Sequence, residues 1–168
     1  AFPDGRAYPC CFALDQYPVG NLNKDSMETV FNGKDMRNIR QNMLAGKKSK
    51  QCTKCYDQEA SGFFSLRLSS NKHFGHNIGM IENTKEDGSA DFVIKYWDIR
   101  FSNLCNLACR SCGTWFSSNW YEDHKKLTGR PPDHAKIMKV GRSSDDIWTQ
   151  MLEQFEHVEQ FYFAGGEP

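Results

Sequence analysis

The 168-residue chain has no net charge, with 21 Lys and Arg set against 21 Asp and Glu. That balance removes the broad basic field on which non-sequence-specific nucleic-acid binding relies, so no nucleic-acid partner is expected. No run of about 18 apolar residues occurs, so no membrane span is expected. Neither an initiator Met nor a basic-then-apolar leader precedes Ala1-Phe2-Pro3-Asp4, so no signal peptide is read and a cytoplasmic location is expected. The five histidines, His73, His76, His124, His134 and His157, share no ligand spacing and read as surface or packing residues. Internal repeats and low-complexity tracts are also missing.

Cysteine is what stands out. Seven cysteines make about 4% of the chain, below the roughly 8–10% of a disulfide scaffold, and an odd number cannot all pair within one chain. They fall as Cys10-Cys11, then Cys52 and Cys55, then Cys105, Cys109 and Cys112. Such tight grouping points to metal ligation.

The surrounding pattern is α/β. Asp4-Gly5 is a hairpin signal ahead of a strand-like run into Pro9-Cys10-Cys11. Almost nothing precedes that turn, so the chain reads as cut from a longer one. Asp25-Ser26 caps a short helix bearing Met27, Val30 and Phe31, which Gly33 ends. Asp35 is expected to cap a second helix, with Met36, Ile39, Met43 and Leu44 in helical period and Gly46 at its end. Asp57 to about Asn71 reads as one helix interrupted by Gly62, and residues 72–91 as a linker or long loop. Phe92–Phe101 has the content of a buried strand, and Trp115 to about Leu127 reads as a helix. Ser143-Ser144-Asp145-Asp146 offers a capping-box start for a helix whose apolar face is Ile147, Met151, Leu152 and Phe155. Val158–Phe163 is a second strand, turning at Gly165-Gly166. The order β, cysteine loop, α, α, β opens a parallel α/β sheet or barrel. The division expected is 1–71, a linker at 72–91, and 92–168.

The loop Cys105-Asn106-Leu107-Ala108-Cys109-Arg110-Ser111-Cys112 places three thiols within one short segment. Structural zinc takes four protein ligands and most iron–sulfur clusters take four thiolates, so three leave a metal position open for a ligand that is not protein. A zinc site completed by a distant His or Cys, or free structural cysteines, are the alternatives. The C-x3-C-x2-C spacing after a first strand, with Gly165-Gly166-Glu167-Pro168 ending the next, resembles the radical S-adenosylmethionine (SAM) superfamily over residues 92–168. That resemblance implies the N-terminal part of a partial (βα) barrel. It implies that Cys105, Cys109 and Cys112 hold three irons of a [4Fe–4S] cluster while SAM chelates the fourth. Reductive cleavage of SAM would then yield a 5′-deoxyadenosyl radical. It also implies cofactor contacts from Gly165, Gly166 and Glu167, an electron donor such as flavodoxin or ferredoxin, and a peptide, protein or small-molecule substrate. Ser111 departs from the pattern, since many members carry an aromatic residue there near the adenine; Trp115 and Phe116 are the nearby aromatic residues. With the later barrel strands outside the chain, the segment is expected to be inactive by itself.

The Asp4-Gly5 hairpin, Tyr8-Pro9-Cys10-Cys11, Gly20, two short helices ending near Gly46, Ile39-Arg40 and Cys52-x-x-Cys55 resemble the SPASM and twitch auxiliary-cluster domains over roughly residues 2–60. Those domains ordinarily follow the barrel; here the segment precedes it. The resemblance implies an additional [4Fe–4S] cluster on Cys10 or Cys11, Cys52 and Cys55. Neighbouring side chains diverge in extended backbone, so one of Cys10 and Cys11 would be a spare thiol. A zinc knuckle from the same four thiols is the other reading, and a non-catalytic zinc-binding interaction module is the alternative for the whole chain. Lys47, Lys48 and Lys50 read as a solvated face, with contact to an electron donor or substrate as the other reading. Asp98 and Arg100 alternate along the first strand and would face a barrel interior.

Overall fold

A computed structural model describes residues 1–143 and 146–166. Its elements are β1 (Arg6–Ala7), β2 (Gly20–Asn21), α1 (Met27–Phe31), α2 (Lys34–Leu44), α3 (Thr53–Ala60), α4 (Leu66–Phe74), β3 (Tyr96–Ile99), α5 (Trp120–Thr128), α6 (Asp146–Leu152) and β4 (Gln160–Phe163). Short 3₁₀ stretches occupy Lys50–Cys52, Gly75–Asn83 and Phe155–His157. This mixed α/β chain divides into two compact units, one made of Ala1–Ala7, Asn21–Asp25 and Val93–Pro168, the other of Tyr8–Gly20 and Ser26–Phe92. No helix among the described residues is long and apolar enough to cross a membrane.

The first unit is built on a parallel pair, β3 with β4, in register from Tyr96 opposite Gln160 to Ile99 opposite Phe163. The two-residue period of β3 buries Trp97 and Ile99, and Met138, Val140, Ile147 and Met151 are the other large buried apolar residues of the carboxyl-terminal segment. The strand is shorter than the ten residues expected, because its flanks bond elsewhere. The Ile94 N–H goes to the Gln154 side chain, the Arg100 N–H to the Ala1 carbonyl (3.2 Å), and the Phe101 carbonyl accepts the Val140 N–H (2.9 Å). Beyond β3 the aromatic residues stack in a row, Trp148 on Phe101 (5.1 Å) and Phe101 on Phe163 (5.9 Å). β4 is as apolar as expected yet half-exposed, with Tyr162 and Phe163 open to solvent. α5 starts at Trp120, later than Trp115, because Phe116 and Ser117 turn back onto the Gly113 carbonyl. Gly129, at φ +74°, closes α5 in the left-handed conformation that glycine adopts without strain. Of the capping-box segment, Ser144 and Asp145 lie outside the described residues; the Asp146 carboxylate accepts from both the backbone and the side chain of Arg142.

In the second unit, Ser26 caps α1 by accepting the Thr29 N–H (3.1 Å). α2 begins two residues earlier than expected, with Gly33 as its cap and Asp35 inside its first turn. The single helix expected after Asp57 is two: α3 ends where Gly62 takes φ +81°, and buried Ser65 caps α4 by accepting the Leu68 N–H (3.2 Å). Ser65 also donates to Glu59, which pairs with Arg67. The stretch 72–91 is structured: α4 runs to Phe74, a 3₁₀ stretch to Asn83, and the remainder is strapped to α2. Gln41 donates to the Glu86 carbonyl (2.9 Å), Arg37 to the Asp87 carboxylate (2.8 Å) and Arg40 to the Gly88 carbonyl (3.1 Å). The glycine at 88 permits this approach, since a Cβ there would stand 2.4 Å from the Arg37 carbonyl oxygen.

Candidate metal centres

All seven cysteines are free thiols. The triplet sits on the loop that leaves β3, with Cys105 half-buried and Cys109 and Cys112 exposed. The loop has no regular structure, so its backbone groups need other partners, and a set of side chains supplies them. Asn103, completely buried, is the anchor. Its Nδ2 donates to the carbonyls of Thr114 and Lys136 (both 3.1 Å), its Oδ1 accepts the Met138 N–H (2.8 Å), and its carbonyl accepts the Ser118 N–H (2.7 Å). Further bonds come from the residues leading into α5. Ser117 Oγ donates to the Leu107 carbonyl (2.6 Å), Ser118 Oγ accepts the Cys105 N–H (3.2 Å), and Asn119 donates to the Asn106 carbonyl (3.1 Å). Trp120 Nε1 donates to the Cys109 carbonyl (3.0 Å). Within the loop, the Cys112 N–H donates to the Cys109 carbonyl (2.9 Å) and the Leu107 N–H to the Cys105 sulfur (3.4 Å). N–H donation to a thiolate sulfur is one of the terms that set a cluster's potential.

Parallel pairing brings the turn after β4 to the same end of the sheet as this loop. Gly165 and Gly166 both have left-handed φ, +75° and +68°. The Gly166 N–H donates to the Phe116 carbonyl (2.8 Å), and a Cβ at Gly166 would stand 2.7 Å from the Ser102 carbonyl and 2.9 Å from the Leu104 carbonyl. A Cβ at Gly165 would stand 2.9 Å from Arg100 Cγ. The turn thus presses on the residues that lead into Cys105. Glu167 lies outside the described residues.

Asp98 and Arg100, two residues apart and so on one face of the strand, pair with each other at 2.6 Å. The Arg100 guanidinium lies over the rings of Phe2 (5.2 Å) and Phe116 (5.4 Å), and the second Asp98 oxygen is buried without a hydrogen-bond partner. Trp115 is engaged by Arg6 (4.7 Å) and His134 (4.5 Å). Sequence reasoning passed over Asn103, Ser117, Ser118 and Trp120. The signal was there in a short polar run, Ser117-Ser118-Asn119, facing a loop with no ladder of its own.

The other four cysteines lie in the second unit. Cys52 ends a 3₁₀ turn and precedes α3, and Cys55 follows three residues later on the same helix face, buried where Cys52 is half-buried. Cys10 and Cys11 are exposed on an irregular segment. Although Cys10 shows much of its surface, burial pushes its thiol up, with Cys11 and Cys52 adding to the effect. Burial likewise raises Cys52, with Cys55 adding to it. The fold has therefore brought the two cysteine segments within electrostatic reach of each other. Among the described residues, no group of three or more His, Cys, Asp or Glu side chains is arranged to hold a metal ion. Both donor sets consist of thiols, which suit iron–sulfur clusters and zinc and do not suit hard cations.

Residues 2–56 match the SPASM family model, an iron-sulfur cluster-binding domain associated with radical SAM proteins. The matched segment includes Cys10, Cys11, Cys52 and Cys55, and it draws residues from both compact units. Neither a curated protein nor a solved structure matches the chain.

Proposed function

We propose that the chain is part of a radical SAM enzyme that carries an auxiliary iron–sulfur site ahead of its SAM-binding site. The observation that carries the reading is the packing of the Gly165-Gly166 turn against residues 102–104, immediately before the Cys105, Cys109 and Cys112 loop, at one end of a parallel strand pair. The SPASM match supports the auxiliary site. Cys105, Cys109 and Cys112 would hold a [4Fe–4S] cluster with one iron open to SAM, and Cys52, Cys55 and one of Cys10 and Cys11 would hold the auxiliary cluster. When bound, the cluster and SAM supply the reductive chemistry that makes a 5′-deoxyadenosyl radical. The protein's share is local. Asn103 anchors the root of the loop, and Ser117, Ser118 and Trp120 hold its backbone at Leu107, Cys105 and Cys109 without bonding to its thiols. The glycines let backbone approach a ligand closely, and their carbonyls suit an ammonium group. The substrate class under this reading is a peptide, a protein or a small molecule, with a flavodoxin- or ferredoxin-like electron donor and a cytoplasmic setting.

Anaerobic reconstitution of the full chain with iron and sulfide tests this. A brown protein is expected, whose reduced-state EPR signal changes when SAM is added; Cys105→Ala removes the SAM response, and Cys52→Ala lowers iron content and melting temperature. A colourless protein holding stoichiometric zinc would overturn the reading in favour of a zinc-binding interaction module.

A further inference from the structure

The stretch from Met36 to Tyr56 contains no Asp or Glu but six basic residues, Arg37, Arg40, Lys47, Lys48, Lys50 and Lys54, in a chain that is neutral as a whole. The four lysines are exposed, and none of them forms an ion pair among the described residues. Three have their ammonium groups set over aromatic rings: Lys50 over Tyr17 (4.6 Å), Lys54 over Phe12 (5.3 Å) and Lys48 over Tyr56 (5.4 Å). Two of those rings are next in sequence to the cysteines, Phe12 after Cys11 and Tyr56 after Cys55. Of the two acids on α3, Glu59 is already taken by Arg67 and Ser65, and Asp57 forms no ion pair among the described residues. Ring seating limits how far each lysine wanders and leaves its charge facing solvent, so the positive potential is concentrated around the four-cysteine site.

We infer that this lysine face is the docking surface for a small acidic one-electron carrier protein, a step that rests on the iron–sulfur reading of Cys10, Cys11, Cys52 and Cys55. Charge complementarity favours an anionic partner, and the cysteines next to the rings that seat the lysines favour one that delivers electrons. The chain as a whole carries no net positive charge with which to hold the polyanionic track of a nucleic acid. In the docked pair a reduced carrier would give up one electron to the cluster held by these cysteines, with no bond made or broken in this chain. Attraction of this kind steers encounter and weakens steeply with salt.

The test is titration of the reconstituted full chain with an oxidised flavodoxin of strongly acidic pI, at about 25 mM and about 300 mM salt (roughly a 3.5-fold change in Debye length), with a Lys50→Glu/Lys54→Glu variant alongside. Binding is expected to weaken about tenfold or more with salt, and by a similar factor in the variant at low salt, with iron content unchanged. Lys50→Gln/Lys54→Gln, which only removes charge, should fall between and guards against misfolding of the reversal variant. Salt-independent binding, wild-type binding by both variants, or tighter binding of a single-stranded RNA oligonucleotide would overturn the inference. A chain with an auxiliary cluster but no flavodoxin binding loses the docking surface alone. A chain without iron that still binds in this salt-sensitive way loses the iron–sulfur reading and keeps the surface.

Discussion

The two cysteine sites are positioned by opposite means. The triplet is local: its three thiols lie on one loop, and the side chains that hold the loop come mostly from the next few residues, Ser117 to Trp120, with Asn103 at the root. The four-cysteine site is assembled from afar. Cys10 comes within electrostatic reach of Cys52 across about forty residues of sequence, in a unit where Val30 and Ile39 are buried and Arg40 and Asn32 bond the strap at 84–90. The lesson is about failure. A local site should collapse through loss of one buried polar anchor, whereas an assembled one should degrade gradually as individual tethers are released.

The sharpest way to break that contrast is Asn103→Ala. The substitution strands the buried Met138 N–H and removes the donor to the part-buried carbonyls of Thr114 and Lys136, and a stranded buried group costs about 1–3 kcal/mol. A loss of about 2–3 kcal/mol is expected, read by chemical denaturation. The triplet's iron and its SAM-dependent EPR change should vanish while the auxiliary iron stays. Equal loss of iron from both sites would show that the local and assembled sites are one cooperative system.

Gly166→Ala is next in size. Left-handed backbone costs an L-residue roughly 1–2 kcal/mol, and the new methyl group meets two backbone carbonyls that cannot rotate away. Global stability is expected to fall by about 2 kcal/mol. The SAM-dependent EPR change should weaken more than cluster content does, because the turn moves and the thiols do not. Gly46→Ala is the control in the other unit: its φ of +65° carries the same backbone cost, but a Cβ there meets nothing within 4 Å.

Legibility in the sequence followed the same division. The triplet, the helix ends at Ser26 and Gly46 and the parallel β3 and β4 could be anticipated because each is a short-range pattern in residue type. The role of 84–90 could not be read locally. Asp, Gly and Ser there look like linker residues, and their order comes from Arg37, Arg40 and Gln41, half the unit away in sequence. Asn103 was missed for a related reason: an asparagine beside a cysteine motif has no pattern until the carbonyls it serves are in place. The break at Gly62 was visible as an interruption, but whether one helix or two resulted depended on Ser65 finding Glu59.

The smallest expected effect tests the strap itself. The Ser89 hydroxyl and N–H and the Arg37 guanidinium all stabilise ionised Asp87, which draws its pKa from 3.8 down to about 2. The folded pKa lies below the unfolded one, so the interaction stabilises the fold fully above pH 3.8 and is lost as pH falls toward about 2. Asp87 is exposed, so solvent and salt screen the pair and only a slight fall in melting temperature is expected in that window. The direct readout is the Ser89 amide resonance, which should titrate with a midpoint near 2 in the wild-type chain and show no such step in Asp87→Asn. A midpoint at the ordinary carboxylate value would mean that the strap is not held by its charge, and the assembled site would then owe its order to Arg40 on the Gly88 carbonyl and Asn32 on Ala90.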